Sequence, residues 1–205
     1  MIKRLFFFSL SGLIVFALAA SALAFFTAQE IAPEERIHVA YIENDYVLGI
    51  SRIKYGIWDG SLQSPGFQTI VSDSRVYSVY DSALDTALGA DGSHYIVYLK
   101  NGVVRYRNNY RSEAVPMPAT SNGAKGVAIS VNSHNEPIVA FVGRDSNLYL
   151  ARRGSAGWVG SNALLTLPSV ADGRIALSVN ENTGNYHIFY THRVTATYTD
   201  LREFI

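Results

Sequence analysis

The sequence predicts an all-β fold of repeated antiparallel meanders, and three observations predict it. Segments 39–61 and 139–161 match at eight of 23 positions without a gap. Short apolar runs close on an aromatic residue four times, at Tyr41, Tyr98, Phe141 and Tyr190. Turns rich in Asn, Gly and Ser, such as Asp91-Gly92 and Asn101-Gly102, separate the runs at hairpin spacing. Unrelated segments would agree at only about one or two of those 23 positions, so the self-similarity marks a structural repeat.

The first 24 residues read as an address. Lys3 and Arg4 precede an uncharged apolar stretch, which ends in the small-residue pattern Ala22-Leu23-Ala24. Export followed by cleavage after Ala24 is the expectation. The alternative is an uncleaved anchor, because residues 5–26 lack charge and about 20 apolar residues span a bilayer. Either way the basic start stays inside, so the remainder is secreted or periplasmic, or else anchored facing outward. A membrane is a partner only if that segment is retained.

From residue 25 onward each unit follows one order. An inner strand of the type Ala128-Ile129-Ser130-Val131-Asn132 recurs as Ala176-Leu177-Ser178-Val179-Asn180, and more weakly as Ala87-Leu88-Gly89-Ala90-Asp91. A continuous apolar run follows (37–41, 95–98, 138–141, 187–190) and predicts a strand covered on both faces. Third strands alternate instead, as in Leu148-Tyr149-Leu150-Ala151-Arg152 or Val104-Arg105-Tyr106-Arg107, and belong nearer an edge. Helical periodicity is absent after Ala24, residues 27–36 offering one weak candidate. Four units result, at about 25–71, 75–118, 126–168 and 173–205.

Meanders of this size cannot bury their inner strands alone, and radial packing solves that problem. The expected architecture is β-propeller-like, with about four blades of four-stranded antiparallel meanders, closed or an open arc. A Trp equivalent to Trp58 and Trp158 would fall beyond Ile205 in the fourth unit, so its outer strand should be short or absent. Ring closure would then have residues 25–31 complete the last blade.

Composition narrows the function. Seventeen basic residues balance 17 acidic ones, which argues against a nucleic-acid partner. With no Cys, thiolate metal sites and thiol nucleophiles are excluded. His38, His94, His134, His187 and His192 show no metal-ligand spacing, and burial between blades accounts for the shared repeat position of His38 and His187. Asp81, Asp85 and Asp91 match no dedicated calcium loop. Asp45 and Asp145 recur at one hairpin turn, where turn chemistry explains them. No metal, cofactor or catalytic set is expected.

Aromatic side chains are the better pointer, since 13 Tyr, ten Phe and two Trp provide flat faces with polar edges. The candidate ligand-binding residues are Tyr106 with Arg107, Tyr149 with Arg152, and the repeat-related Trp58 and Trp158. Packing between blades competes with binding as the account of the Trp pair.

The unit formed by Ala128-Ile129-Ser130-Val131-Asn132, Pro137-Ile138-Val139-Ala140-Phe141, Leu148-Tyr149-Leu150-Ala151-Arg152 and Gly157-Trp158 resembles the blades of sialidase-like (BNR-type) and secreted-lectin propellers. The turn box Ser-x-Asp-x-Gly-x-Thr-Trp of the sialidase-like family is not intact here, so the resemblance implies architecture more than activity. The expectation is an exported, non-enzymatic binding module for a glycan or protein. The alternatives are a sialidase-like glycoside hydrolase or degenerate relative, and a structural subunit of a larger ring, homo-oligomeric or heteromeric, or of an envelope assembly.

Overall fold

The computed structural model describes residues 27–28, 37–45, 47–48, 50–58, 66–74, 83–109, 111–165, 170–180, 182–195 and 199–205. Met1 to Ala24, the expected cleavage point and Asp81 lie outside these residues. The described chain is all-β and forms four antiparallel sheets in which neighbouring strands follow chain order.

The first sheet comprises β1 (Thr27–Ala28), β2 (Ile37–Asp45), β3 (Ile50–Trp58) and β4 (Gln68–Ser74). The second holds β5 (Leu84–Leu88), β6 (His94–Lys100), β7 (Val103–Asn108) and β8 (Ser112–Ala114). The third holds β9 (Ala124–Val131), β10 (Pro137–Gly143), β11 (Leu148–Gly154) and β12 (Gly157–Leu165). The fourth has three strands among the described residues, β13 (Val170–Asn180), β14 (Asn185–Arg193) and β15 (Thr199–Phe204).

Turn chemistry sets the hairpins. Lys100 pairs with Val103 across a two-residue connection in which Asn101 and Gly102 both take positive φ, 52° and 78°. A type I′ turn needs that at both positions, and its twist suits the flanking strands. Asp45 accepts the amides of Val47 and Leu48, and Asp145 accepts that of Asn147, so both repeat carboxylates serve their turns.

The sheets stack face to face. One core unites Ala40, Ile42, Ile53 and Tyr55 of the first sheet with the second, and continues through Tyr95, Val97, Leu99 and Tyr106 to Val127, Ile129, Val139 and Phe141 of the third. A second core packs Ala140, Val142 and Leu148 against Ile188 and Tyr190. Inner strands β5, β9 and β13 adjoin in series. Between β9 and β13 the backbones nearly touch: a Cβ on Gly126 would meet the Gly173 carbonyl oxygen at 1.7 Å. Only glycine permits that approach.

Burial follows position in the stack. In β10 all seven residues are buried, and in β6 the five central ones are, as expected for strands covered on both faces. Runs 37–41 and 187–190 differ from the expectation. In β2, Ala40 and Ile42 are buried while Val39, Tyr41 and Glu43 are not; in β14, Ile188 and Tyr190 are buried while Phe189 between them is 38% exposed. The reason is that the first and fourth sheets each have one packed neighbour. They do not pack on each other among the described residues, so the four sheets form an open arc.

Two further expectations need correction. Thr27 and Ala28 pair with Ala40 and Val39, so β1 is the inner strand of the first sheet and these residues do not complete the last one. The 100-residue offset also fails in register: Ala40 pairs with Tyr55, whereas Ala140 pairs with Leu150. Gly157 (φ 116°) opens β12 after a tight turn, placing Trp158 in a fourth strand. Ile57 stands at the corresponding place, and β3 runs straight through to Trp58. Both segments keep the hairpin topology.

Candidate ligand-binding site

The site lies between the second and third sheets. On β7 side chains alternate, so Tyr106 turns toward the third sheet and Arg107 toward the first. Tyr106 is 1% exposed and meets the Trp158 ring edge to face, with centroids 5.3 Å apart. Such pairing suits the ring quadrupoles and anchors Trp158 against the core. Two of the six sequence-nominated residues are therefore brought together.

The polar atoms of this pair lack partners. Among the described residues, neither the Tyr106 hydroxyl nor Trp158 Nε1 makes a hydrogen bond, and both are buried. Burial raises the Tyr106 phenol pKa strongly, and the Asn108 side chain acts in the opposite direction. Each buried unmet donor costs about 1–3 kcal/mol. Beside the rings, Arg153 Nε donates to Glu113 Oε1 at 2.6 Å and ties β11 to β8. The Arg153 side chain is largely buried and that of Glu113 half-exposed. Sequence reasoning did not nominate this pair, because its members lie 40 positions apart and only the stacking of sheets joins them.

The other nominated residues sit elsewhere. Tyr149 is 1% exposed, stacks on Phe141 at 5.0 Å and donates its hydroxyl to Asp145 Oδ2 at 2.6 Å. Arg152 projects from the face turned to the fourth sheet, where it is exposed and approaches Glu136 at 3.8 Å. Trp58 ends β3, paired through its backbone with Ile37; its side chain is outside the described residues.

Histidine and carboxylate positions complete the inventory. His187 pairs with Glu203 at 2.7 Å and His192 with Asp200 at 3.1 Å. No group of three His, Cys, Asp or Glu residues capable of holding a metal occurs among the described residues. Asp85 on β5 accepts the Thr86 amide and, across the sheet boundary, the Ile129 amide, each at 2.8 Å. Burial raises its carboxyl to about 6 against the lowering effect of those two bonds. Both oxygens are thus engaged.

No family model matches the chain, and no curated protein matches its sequence. Solved structures do resemble it. An endo-arabinase from Bacteroides thetaiotaomicron matches at a TM-score of 0.51 and 12% identity, covering 88% of this chain and 74% of that one. An Aleuria aurantia lectin variant in complex with α-methyl-L-fucoside matches at 0.55 and 16%, covering 83% and 53%. The catalytic domain of a Coprinopsis cinerea GH62 α-L-arabinofuranosidase matches at 0.56 and 13%, covering 87% and 62%. The chain spans about half the length of the lectin and under two thirds of the arabinofuranosidase domain. These likenesses establish a β-propeller-type fold.

Proposed function

We propose that the chain is an exported, non-enzymatic β-propeller module that binds carbohydrate where its second and third sheets meet, at Tyr106 and Trp158. The observation carrying this reading is the contact of Tyr106 with Trp158, whose two polar edges lack partners beside the Arg153–Glu113 ion pair. A sugar offers what those groups lack: hydroxyl oxygens to accept from them, and an apolar C–H face for an aromatic ring. The likeness to a lectin solved with a fucoside supports the same class of ligand.

The test is a glycan array that includes fucosylated and arabinose-containing glycans, probed with the wild type and with Trp158→Ala. Binding lost in the variant, with its circular dichroism unchanged, agrees with the proposal. An array silent for the wild type, or equal binding by both proteins, removes it.

A hydrolase is the second reading, favoured by the likeness to arabinan-degrading enzymes and by a carboxyl at about 6, which suits a general acid. Against it, glycoside hydrolysis commonly uses two carboxyl groups about 5–10 Å apart, and Asp85 has both oxygens bound to amides. Arabinan hydrolysis abolished by Asp85→Asn would promote it.

A further inference from the structure

The outer edge of the fourth sheet differs from the outer edges of the other three. In those sheets a fourth strand follows the third, whereas among the described residues β15 is the third and last strand of its sheet. Its outward backbone N–H and C=O groups stand where β4, β8 and β12 pair in the other sheets. Such a row is a template for another strand, and folds blunt it with very short strands or with bulges. Accordingly, β8 is three residues long, and β4 and β12 pair with register shifts. β15 has neither device, since it pairs with β14 at six successive positions without a shift.

The sequence of β15 is also self-complementary about one residue. Opposite residues of an antiparallel pair alternate between two hydrogen-bonding patterns, so a two-fold axis relating two copies of one strand passes where a residue faces its own copy. An axis at Asp200, Arg202 or Glu203 would set like charges directly opposite each other, which is unfavourable. An axis at Thr199 or Phe204, the ends of β15, would leave the rest of the strand unpaired. Leu201 remains. There Leu201 faces its own copy, and Asp200 of each chain faces Arg202 of the other. Leu201 is 71% exposed, on the same face as the exposed Phe189. Asp200 and Arg202 already lie 3.3 Å apart within one chain, both partly exposed, so pairing across the axis closes a ring of four charges of alternating sign.

We propose that β15 pairs with β15 of a second copy of this chain, antiparallel about Leu201, and joins the two fourth sheets into one continuous sheet with three strands from each copy. The interface is separate from Tyr106 and Trp158 and does not rest on the carbohydrate reading.

Sedimentation equilibrium and cysteine cross-linking of the chain test this together. The wild type should show a monomer–dimer equilibrium. Arg202→Asp sets two carboxylates opposite each other on both sides of the axis, so dimer affinity should fall at least ten-fold. The double variant Asp200→Arg/Arg202→Asp exchanges the charges and should restore it. The chain has no cysteine. Leu201→Cys therefore places one thiol of each copy directly opposite the other, at a Cα separation of about 4.5–5.5 Å that a disulfide spans. Mild oxidation should link this variant into covalent dimers and leave Ile205→Cys unlinked, because its two copies lie roughly 27 Å apart along the strands. Leu201 is exposed, so its variant decides the matter if a charge variant does not fold. Association that persists undiminished in Arg202→Asp would mark the uncovered faces of the end sheets as the contact and overturn the proposal. So would a wild type that is monomeric at every concentration, a charge exchange that restores nothing, or cross-linking of Ile205→Cys as fast as that of Leu201→Cys.

Discussion

Tyr106 and Asp85 show how single groups store a cost that the fold tolerates. Removing an unpartnered buried hydroxyl relieves a desolvation penalty, so Tyr106→Phe should leave stability unchanged or raise it by about 1 kcal/mol. If that hydroxyl meets a glycan, the same change weakens binding. Urea unfolding and glycan titration of one variant therefore move in opposite directions, whereas a hydroxyl without a ligand would leave binding untouched. Asp85 is poised differently. Its folded pKa of about 6 lies above the ordinary 3.8, so the folded state holds the proton more tightly. The resulting stability is fully present below the unfolded value and is lost as pH rises through 6, on the order of 3 kcal/mol for a shift of about two pH units. Unfolding free energies of wild type and Asp85→Asn, compared between pH 4 and pH 7, should show that gain in the wild type alone. Parallel pH profiles would deny the carboxyl its raised pKa.

Strands and turns were legible in the sequence where local chemistry decides them. Asn101-Gly102 announced its hairpin, and the Ala128 and Ala176 motifs announced inner strands β9 and β13. Register was not legible, because eight shared identities survive a five-residue change in pairing once Gly157 makes a turn that Ile57 does not. One-sided burial was equally hidden. The runs around Val39 and Phe189 are as apolar as those around Val97 and Val139, and only the presence of a neighbouring sheet distinguishes them. The site was half visible: repeat positions nominated Tyr106 and Trp158, while Glu113 and Arg153 acquire meaning only when sheets stack. Packing between inner strands offers a sharp element-level test. Gly126→Ala would drive its Cβ into the Gly173 backbone and should cost roughly 3 kcal/mol or more, whereas Gly160→Ala, with nothing within 4 Å, should be near neutral. Equal melting temperatures for the two variants would contradict the close approach of β9 to β13.

At the scale of the molecule, the middle sheets are sheltered by their neighbours and the end sheets are sheltered on one side. Phe189 on β14 and Leu201 on β15, the latter 71% exposed, lie on the fourth sheet's uncovered face. This gradient explains how a chain without disulfides holds β6 and β10: burial on two faces removes apolar side chains from water at about 25 cal/mol per Å². Strands held from both sides should open only in the global unfolding reaction, while those held from one side open in smaller local steps. Native-state hydrogen exchange resolved to single strands tests this most directly. The account predicts that amides of β6 and β10 exchange slowest and with the free energy of global unfolding, with β2 and β14 at least ten-fold faster. Equal protection of all four strands, or faster exchange in β10 than in β14, would contradict it.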